Sequence, residues 1–319
     1  MSPRFLATLL LAASLTAAVR ARAADAAPPR FAVATAAAGP TTFVVYGDTR
    51  FTERPNVVNP YARRALVERI ALERPVAVFI GGDLVYQGSD AGDYAVFKEE
   101  TRHWADSGTA VFPALGNHEF RTCDAHDLEP CLANWWHTFP QLEPYRWYSV
   151  MIGSEVLVLL LDSDSALKSG SEQRRWLEAQ VDSMPAAVRF LLLIMHYPPV
   201  RDPIFPRSRD EAQIAKYLAH RHQTLHARVV VIGSHIHNYE RFQRDDVDYL
   251  VSGGGGAKPV PALRLFGELS HLHTSTNYHY IRFVLDGNLL TGTMVRFDAA
   301  TDRGDPWTEP DHFEVRARD

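Results

Sequence analysis

The chain has 319 residues, 46% of them hydrophobic and 22% charged, an ordinary globular composition with room for a sizeable core. A formal charge of −5 at pH 7 excludes the basic footprint that nucleic-acid binding needs. Beyond the N-terminus, no stretch reaches the ~20 apolar residues of a membrane span.

Residues 1–23 read as a secretory signal peptide. Arg4 gives a positive start, residues 5–19 form an apolar run too short to span, and Ala21-Arg22-Ala23 supplies a small-x-small cleavage pattern. A periplasmic or secreted protein is expected, with no membrane span left after cleavage. Residues 24–40 are rich in Ala and Pro, have little to bury, and read as a linker. From residue 41 short apolar runs alternate with amphipathic segments, which predicts α/β architecture in one domain over residues 41–298.

The expected strands are residues 42–46, 76–80, 110–114, 156–161, 189–195 and 229–232, each a continuous apolar run suited to a sheet covered on both faces. Helical spacing joins Tyr94, Phe97, Thr101 and Trp104, and again Ile214, Tyr217, Leu218 and Leu225. A shorter helix over 172–180 carries Trp176 and Leu177. Residues 280–285 and 289–297, separated by Asp286-Gly287-Asn288, predict a β-hairpin. Residues 299–319 are charged and without period, and read as a tail. The only cysteines, Cys123 and Cys131, are close enough in sequence to bridge a short loop after export, worth roughly 2–3 kcal/mol. The alternative is two free thiols or soft metal ligands, although two cysteines alone cannot close a four-coordinate zinc site.

Polar residues gather just past the strand ends. Gly47-Asp48-Thr49-Arg50, Gly81-Gly82-Asp83-Leu84-Val85-Tyr86, Gly116-Asn117-His118-Glu119, His196 and His235-Ile236-His237 each follow a predicted strand. Ligands of open α/β sheets bind beyond the carboxyl ends of strands, so five such ends predict one crevice. Carboxylates and phenolates suit hard cations, imidazoles suit zinc, iron or manganese, and a carboxylate can bridge two ions. Alone, a Gly-Asp pair is a turn, Asn117 a turn residue and Tyr86 a half-buried aromatic. Together, in order and each after a strand, they form a ligand set.

The run from residue 42 to about 297 resembles the calcineurin-like metallophosphoesterases and, more narrowly, the purple acid phosphatases. The broad family opens with Asp-x-His, whereas this chain has Asp48-Thr49-Arg50. Purple acid phosphatases also lack that histidine and carry a tyrosine three residues after the second-motif aspartate, as Tyr86 follows Asp83. His235-Ile236-His237-Asn238-Tyr239-Glu240-Arg241 likewise resembles their His-x-His-x-Tyr-Glu-Arg segment. The resemblance implies a four-layer α/β/β/α sandwich. It implies Asp48, Tyr86 and His237 on one metal, Asn117, His196 and His235 on the other, and Asp83 bridging. The first ion would be Fe(III) and the second Fe(II), Zn(II) or Mn(II). The substrate would be a small-molecule phosphate ester attacked by a metal-bound hydroxide, with His118 as proton donor or phosphate-binding group. Arg50, in the place of the missing histidine, would contact phosphate or lie at the surface. The histidine pair that plant-type enzymes carry after the fourth motif is absent. That stretch is Tyr197-Pro198-Pro199-Val200-Arg201, followed by Arg207 and Arg209.

Other conspicuous residues carry less weight. His271 and His273 follow no strand and read as solvated loop residues. His220, His222 and His226 read as helix surface, and His103 as surface or half-buried. Gly253 to Gly256 reads as a tight turn near the site, since no Gly-Lys-Ser/Thr follows. Trp135, Trp136 and His137 suit a substrate-facing loop or, for the tryptophans, the core. An acid phosphatase acting on monoesters is the leading expectation. An exported phosphodiesterase or nucleotidase with two divalent metals, or a non-catalytic phosphate- or metal-binding protein, are the alternatives.

Overall fold

The protein's computed structural model describes residues 27–36, 39–124, 126–201, 209–260, 278–302 and 304–318. The expected signal peptide, Arg207, His271 and His273 lie outside the described residues, as does the side chain of Arg209. Among the described residues no helix is long and apolar enough to cross a membrane.

The strands are β1 (Arg30–Val33), β2 (Thr41–Tyr46), β3 (Ala77–Ile80), β4 (Ala110–Pro113), β5 (Tyr148–Ile152), β6 (Val156–Leu160) and β7 (Phe190–Ile194). They continue with β8 (Arg228–Gly233), β9 (Tyr239–Arg244), β10 (Val247–Ser252), β11 (Tyr278–Asp286), β12 (Leu289–Phe297) and β13 (Trp307–Arg316). The helices are α1 (Pro60–Leu72), α2 (Ala91–Glu100), α3 (Arg102–Asp106), α4 (Glu129–Thr138), α5 (Glu172–Asp182) and α6 (Arg209–Arg221). One sheet has the order β1-β5-β6-β7-β8-β10-β9 and the other β13-β12-β11-β2-β3-β4.

Alternation along the central strands explains the layering. Val158, Leu192, Val230 and Ile232 face the second sheet and share one core with Phe43, Phe79 and Phe283. Their neighbours Leu157, Leu159, Leu191, Leu193, Val229 and Val231 face outward and pack on Leu177 of α5 and Ile214 and Leu218 of α6. Leu66, Val67 and Ile70 of α1 and Trp104 of α3 cover the second sheet, and the Trp104 indole donates to the Val67 carbonyl at 3.1 Å. Both faces of each central strand are therefore covered, which is why those strands are unbroken apolar runs. The result is a four-layer α/β/β/α sandwich in a single domain.

Two boundary expectations are corrected. Residues 30–33 lie in the segment read as a linker, yet β1 pairs in parallel with β5 along the edge of the first sheet. Residues 307–316 lie in the segment read as a tail, yet β13 pairs antiparallel with β12. Asp311, Phe313 and Val315 of β13 are buried at every second position between exposed polar residues, so a period of two was present beneath the charge. Asp311 also accepts from the Tyr239 hydroxyl at 2.7 Å and from Arg241 at 2.7 Å, tying the edge of one sheet to the edge of the other. The predicted helix through Trp104 is divided at Thr101, whose hydroxyl donates to the Phe97 carbonyl at 2.7 Å. Trp135 is buried in the core, and Cys123 and Cys131 are joined as a disulfide.

Candidate metal centre

Parallel pairing of β2, β3 and β4 brings their carboxyl ends side by side, and β6, β7, β8 and β10 do the same in the facing sheet. The loops that leave these ends are stitched together. Asp48 N donates to Gly82 O at 3.1 Å and Arg50 N to Asp83 O at 2.9 Å. His235 N donates to Asp48 Oδ2 at 2.7 Å and His118 N to Asp83 Oδ1 at 2.9 Å. Glycine is required where the loops crowd. A Cβ on Gly82, at φ 87, would meet the His196 ring at 2.6 Å, and one on Gly116 would meet Asp83 N at 2.5 Å. The segment from Gly253 also lies against the site, where a Cβ would come 2.6 Å from Asp48 Oδ2.

Backbone carbonyls fix two of the imidazoles, His196 and His237, so that their lone pairs point inward. His196 Nδ1–H donates to Gly81 O at 3.1 Å, which leaves its Nε2 facing Asn117 Oδ1 at 3.0 Å and Asp83 Oδ1 at 3.2 Å. His235 Nδ1 lies 3.1 Å from the same Asn117 oxygen and 3.2 Å from His196 Nε2. His237 Nδ1–H donates to Lys258 O at 2.8 Å, so its Nε2 faces Asp48 Oδ1 at 3.5 Å. Both of these last atoms are buried without a hydrogen-bond partner. The His237 Nε2 lone pair and Asp48 Oδ1 repel unless a proton or a metal cation lies between them. Donor atoms of Asp48, Asp83 and His196 all fall within 4.8 Å of one another. The donor set of carboxylate, amide oxygen and imidazole fits divalent metals.

The charges agree with that reading. Burial opposes ionisation of Asp83, but neighbouring His196, His118 and Arg50 hold its carboxyl well below the usual range. Burial pushes His235 down to about 4, with His196 adding to the effect, so the ring is neutral and free to act as a ligand.

Tyr86 lies beside His118. Its ring centroid lies 5.2 Å from that of His118, between the guanidinium groups of Arg54 at 5.5 Å and Arg121 at 4.7 Å. Arg50 turns inward rather than lying at the surface, its Nη2 3.0 Å from Asp83 Oδ2. His118 donates from Nδ1 to Tyr86 O at 2.6 Å, leaving Nε2 3.8 Å from Asp83 Oδ2. Arg201 is buried and donates to Pro198 O at 3.5 Å, anchoring its own loop.

Two residues escaped the sequence reading. Glu119 is fully buried and accepts from Asp83 N at 3.0 Å, Gly116 N at 2.7 Å and Val85 N at 3.2 Å, so one carboxylate holds two ligand loops. Its place directly after Asn117-His118 was the only sequence cue. Tyr197 packs its ring 4.5 Å from His235 and donates from its hydroxyl to Asp164 at 3.2 Å, forming one wall. An aromatic next to a ligand histidine gives no such sign in sequence.

The family model for calcineurin-like phosphoesterases matches residues 41–253, which include every candidate metal ligand. The chain belongs to the calcineurin-like phosphoesterase family. Among solved structures, a purple acid phosphatase from yellow lupin (Lupinus luteus) seeds superposes with a TM-score of 0.68 at 18% identity, covering 88% of this chain and 54% of the lupin protein. This chain thus spans about half the length of the lupin protein. GAP50, described as the anchor in the inner membrane complex of Plasmodium, gives 0.58 at 14% identity over 88% of this chain and 90% of its own. PhoD gives 0.56 at 11% identity over 88% and 70%. At these identities the likeness is one of fold. A comparison with curated protein sequences finds no match. Membership of the phosphoesterase family, with the cluster of Asp48, Asp83 and His196, suggests a metal-dependent phosphoester hydrolase.

Proposed function

We propose that this chain is an exported phosphatase of acid-phosphatase type that hydrolyses small phosphate monoesters with two metal ions. The observation that carries the proposal is the cluster of Asp48, Asp83, Asn117, His196, His235 and His237, in which donor atoms of Asp48, Asp83 and His196 lie within 4.8 Å of one another and the facing Asp48 Oδ1 and His237 Nε2 are buried without a hydrogen-bond partner. Asp48, Tyr86 and His237 would hold one ion, Asn117, His196 and His235 the other, and Asp83 both. Tyr86 favours Fe(III) at the first position, with Fe(II), Zn(II) or Mn(II) at the second. When bound, the two ions supply electrophilic activation of the phosphoryl group and of water.

The chain's own residues supply the rest. His118 keeps Nδ1–H on the Tyr86 carbonyl, so Nε2 is the atom that exchanges a proton with the leaving oxygen. Arg50, fixed against Asp83, offers its guanidinium to phosphate. The Tyr197 ring limits water on the His235 side. Export follows from the N-terminal sequence alone.

The test is paired turnover of an aryl phosphate monoester and a bis-aryl diester by metal-loaded protein. Monoester turnover should dominate, and His118→Ala should lower its kcat by roughly 10²–10³. The same preparation should show a visible phenolate-to-iron band that Tyr86→Phe removes. Dominant diester turnover by a colourless, iron-free protein would overturn the assignment.

A further inference from the structure

Three guanidinium groups surround Tyr86 and His118, and their partners differ. Arg50 is taken by Asp83 at 3.0 Å. Arg54 is taken by Asp90 at 2.5 Å and Asp93 at 3.0 Å. Arg121 has no carboxylate in ion-pair contact among the described residues. It stands with Nη1 3.4 Å from His118 Nε2 and its guanidinium 4.7 Å over the Tyr86 ring. The contact to His118 is made on the nitrogen that faces the site, since Nδ1 is committed to the Tyr86 carbonyl at 2.6 Å.

The backbone that carries this cation is firmly tied. Arg121 N donates to His118 O at 3.3 Å, and Cys123 N donates to Phe120 O at 3.1 Å. Thr122 has a left-handed φ of 75, and its hydroxyl lies 2.8 Å from that of Ser89. The bond from Cys123 to Cys131 closes the loop onto α4, and Cys131 Sγ lies 3.7 Å from the Arg121 carbonyl. An exposed arginine ordinarily loses up to ~2 kcal/mol of rotamer freedom when it is fixed. Here the Tyr86 ring and the closed loop remove part of that cost before any ligand arrives.

We propose that Arg121 is a phosphate-recognition residue on the His118 side, held in place by the disulfide-closed loop, and that it sets a preference for monoesters over diesters. The inference rests on the phosphatase reading above. A monoester presents two negative charges and three terminal oxygens. A diester presents one charge and places its second ester group where a third oxygen would be. A guanidinium binding two oxygens at once therefore gains more from the monoester.

The experiment compares metal-loaded wild type, Arg121→Ala, Arg121→Lys and the Cys123→Ser/Cys131→Ser double variant. Each is assayed on the two aryl substrates and titrated calorimetrically with inorganic phosphate. Arg121→Ala should raise the monoester KM and the phosphate Kd by about tenfold, the loss of one charge-assisted contact, with kcat within about threefold. Diester KM should move by less than about twofold, Arg121→Lys should recover part of the loss, and the double variant should move phosphate Kd the same way by less. Equal effects on both substrates, or a phosphate Kd unchanged in Arg121→Ala, would overturn the proposal. If wild type turns over neither substrate, the phosphatase reading fails on its own, and the phosphate titration still decides the role of Arg121.

Discussion

Asp48, Arg50, Asp83 and His235 all hold left-handed backbone conformations, with φ between 46 and 65, and all lie at the centre of the site. Each costs of order 1 kcal/mol for a residue other than glycine. The surrounding hydrogen bonds impose that cost, and Glu119 supplies three of them to the Asp83 and Asn117 loops. Burial, followed by the Asp83 charge, pushes the Glu119 carboxyl upward, while its backbone donors resist. Glu119→Gln replaces one accepting oxygen by an NH₂ that faces backbone N–H groups. It should cost about 1–3 kcal/mol in urea unfolding and weaken metal binding roughly 10–100-fold by calorimetry. Unaltered metal affinity would contradict this role. The ligand candidates were legible because each sits directly after an apolar strand. The functions of Glu119, Arg121 and Tyr197 also depend on contacts across the fold, to Asp83, Tyr86 and His235, and beyond the place of Glu119 directly after Asn117-His118 the sequence carries no trace of them.

Central strands and edge strands differ in how they announce themselves. β2, β3, β6, β7 and β8 are covered on both faces, and their apolar runs could be read directly. β1 and β13 are edge strands with one face open, so alternation was hidden by Ala and Pro in one and by charge in the other. β9, rich in Glu, Arg and Gln, was absorbed into a motif, and its partner β10 was not anticipated. β10 carries an under-partnered carboxylate. Asp248 is 4% exposed, its Oδ2 accepts no hydrogen bond, and Arg228 stands 3.8 Å away. Burial raises its pKa to about 6, against the pull of Arg228 and Arg241. With the folded value above an unfolded value of about 3.9, the folded state binds more protons between them. The group's stabilising contribution is complete below about pH 4 and is lost as pH rises through about 6. Asp248→Asn should therefore gain on wild type by about 2 kcal/mol between pH 4 and pH 7.5, read from urea midpoints in chelator. A constant difference across that range would contradict the assignment.

At the scale of the whole molecule, function follows from where two sheets end. Facing sheets with parallel centres bring together the loops that follow β2, β3, β4, β7 and β8, and each delivers one or two polar side chains to one cluster. The α/β architecture was legible from the alternation of apolar runs and amphipathic segments. The order of strands, and the stitching of both sheets through Asp311, Tyr239 and Arg241, arise from long-range pairing that no local pattern encodes. The central claim is that these strand ends hold two cations. The most direct measurement is the metal content of purified protein reconstituted with iron, zinc or manganese, beside Asp83→Ala prepared identically. Two ions per wild-type chain and at most one in Asp83→Ala are predicted. A wild-type chain that retains no metal, or a variant that retains both ions, would contradict the account.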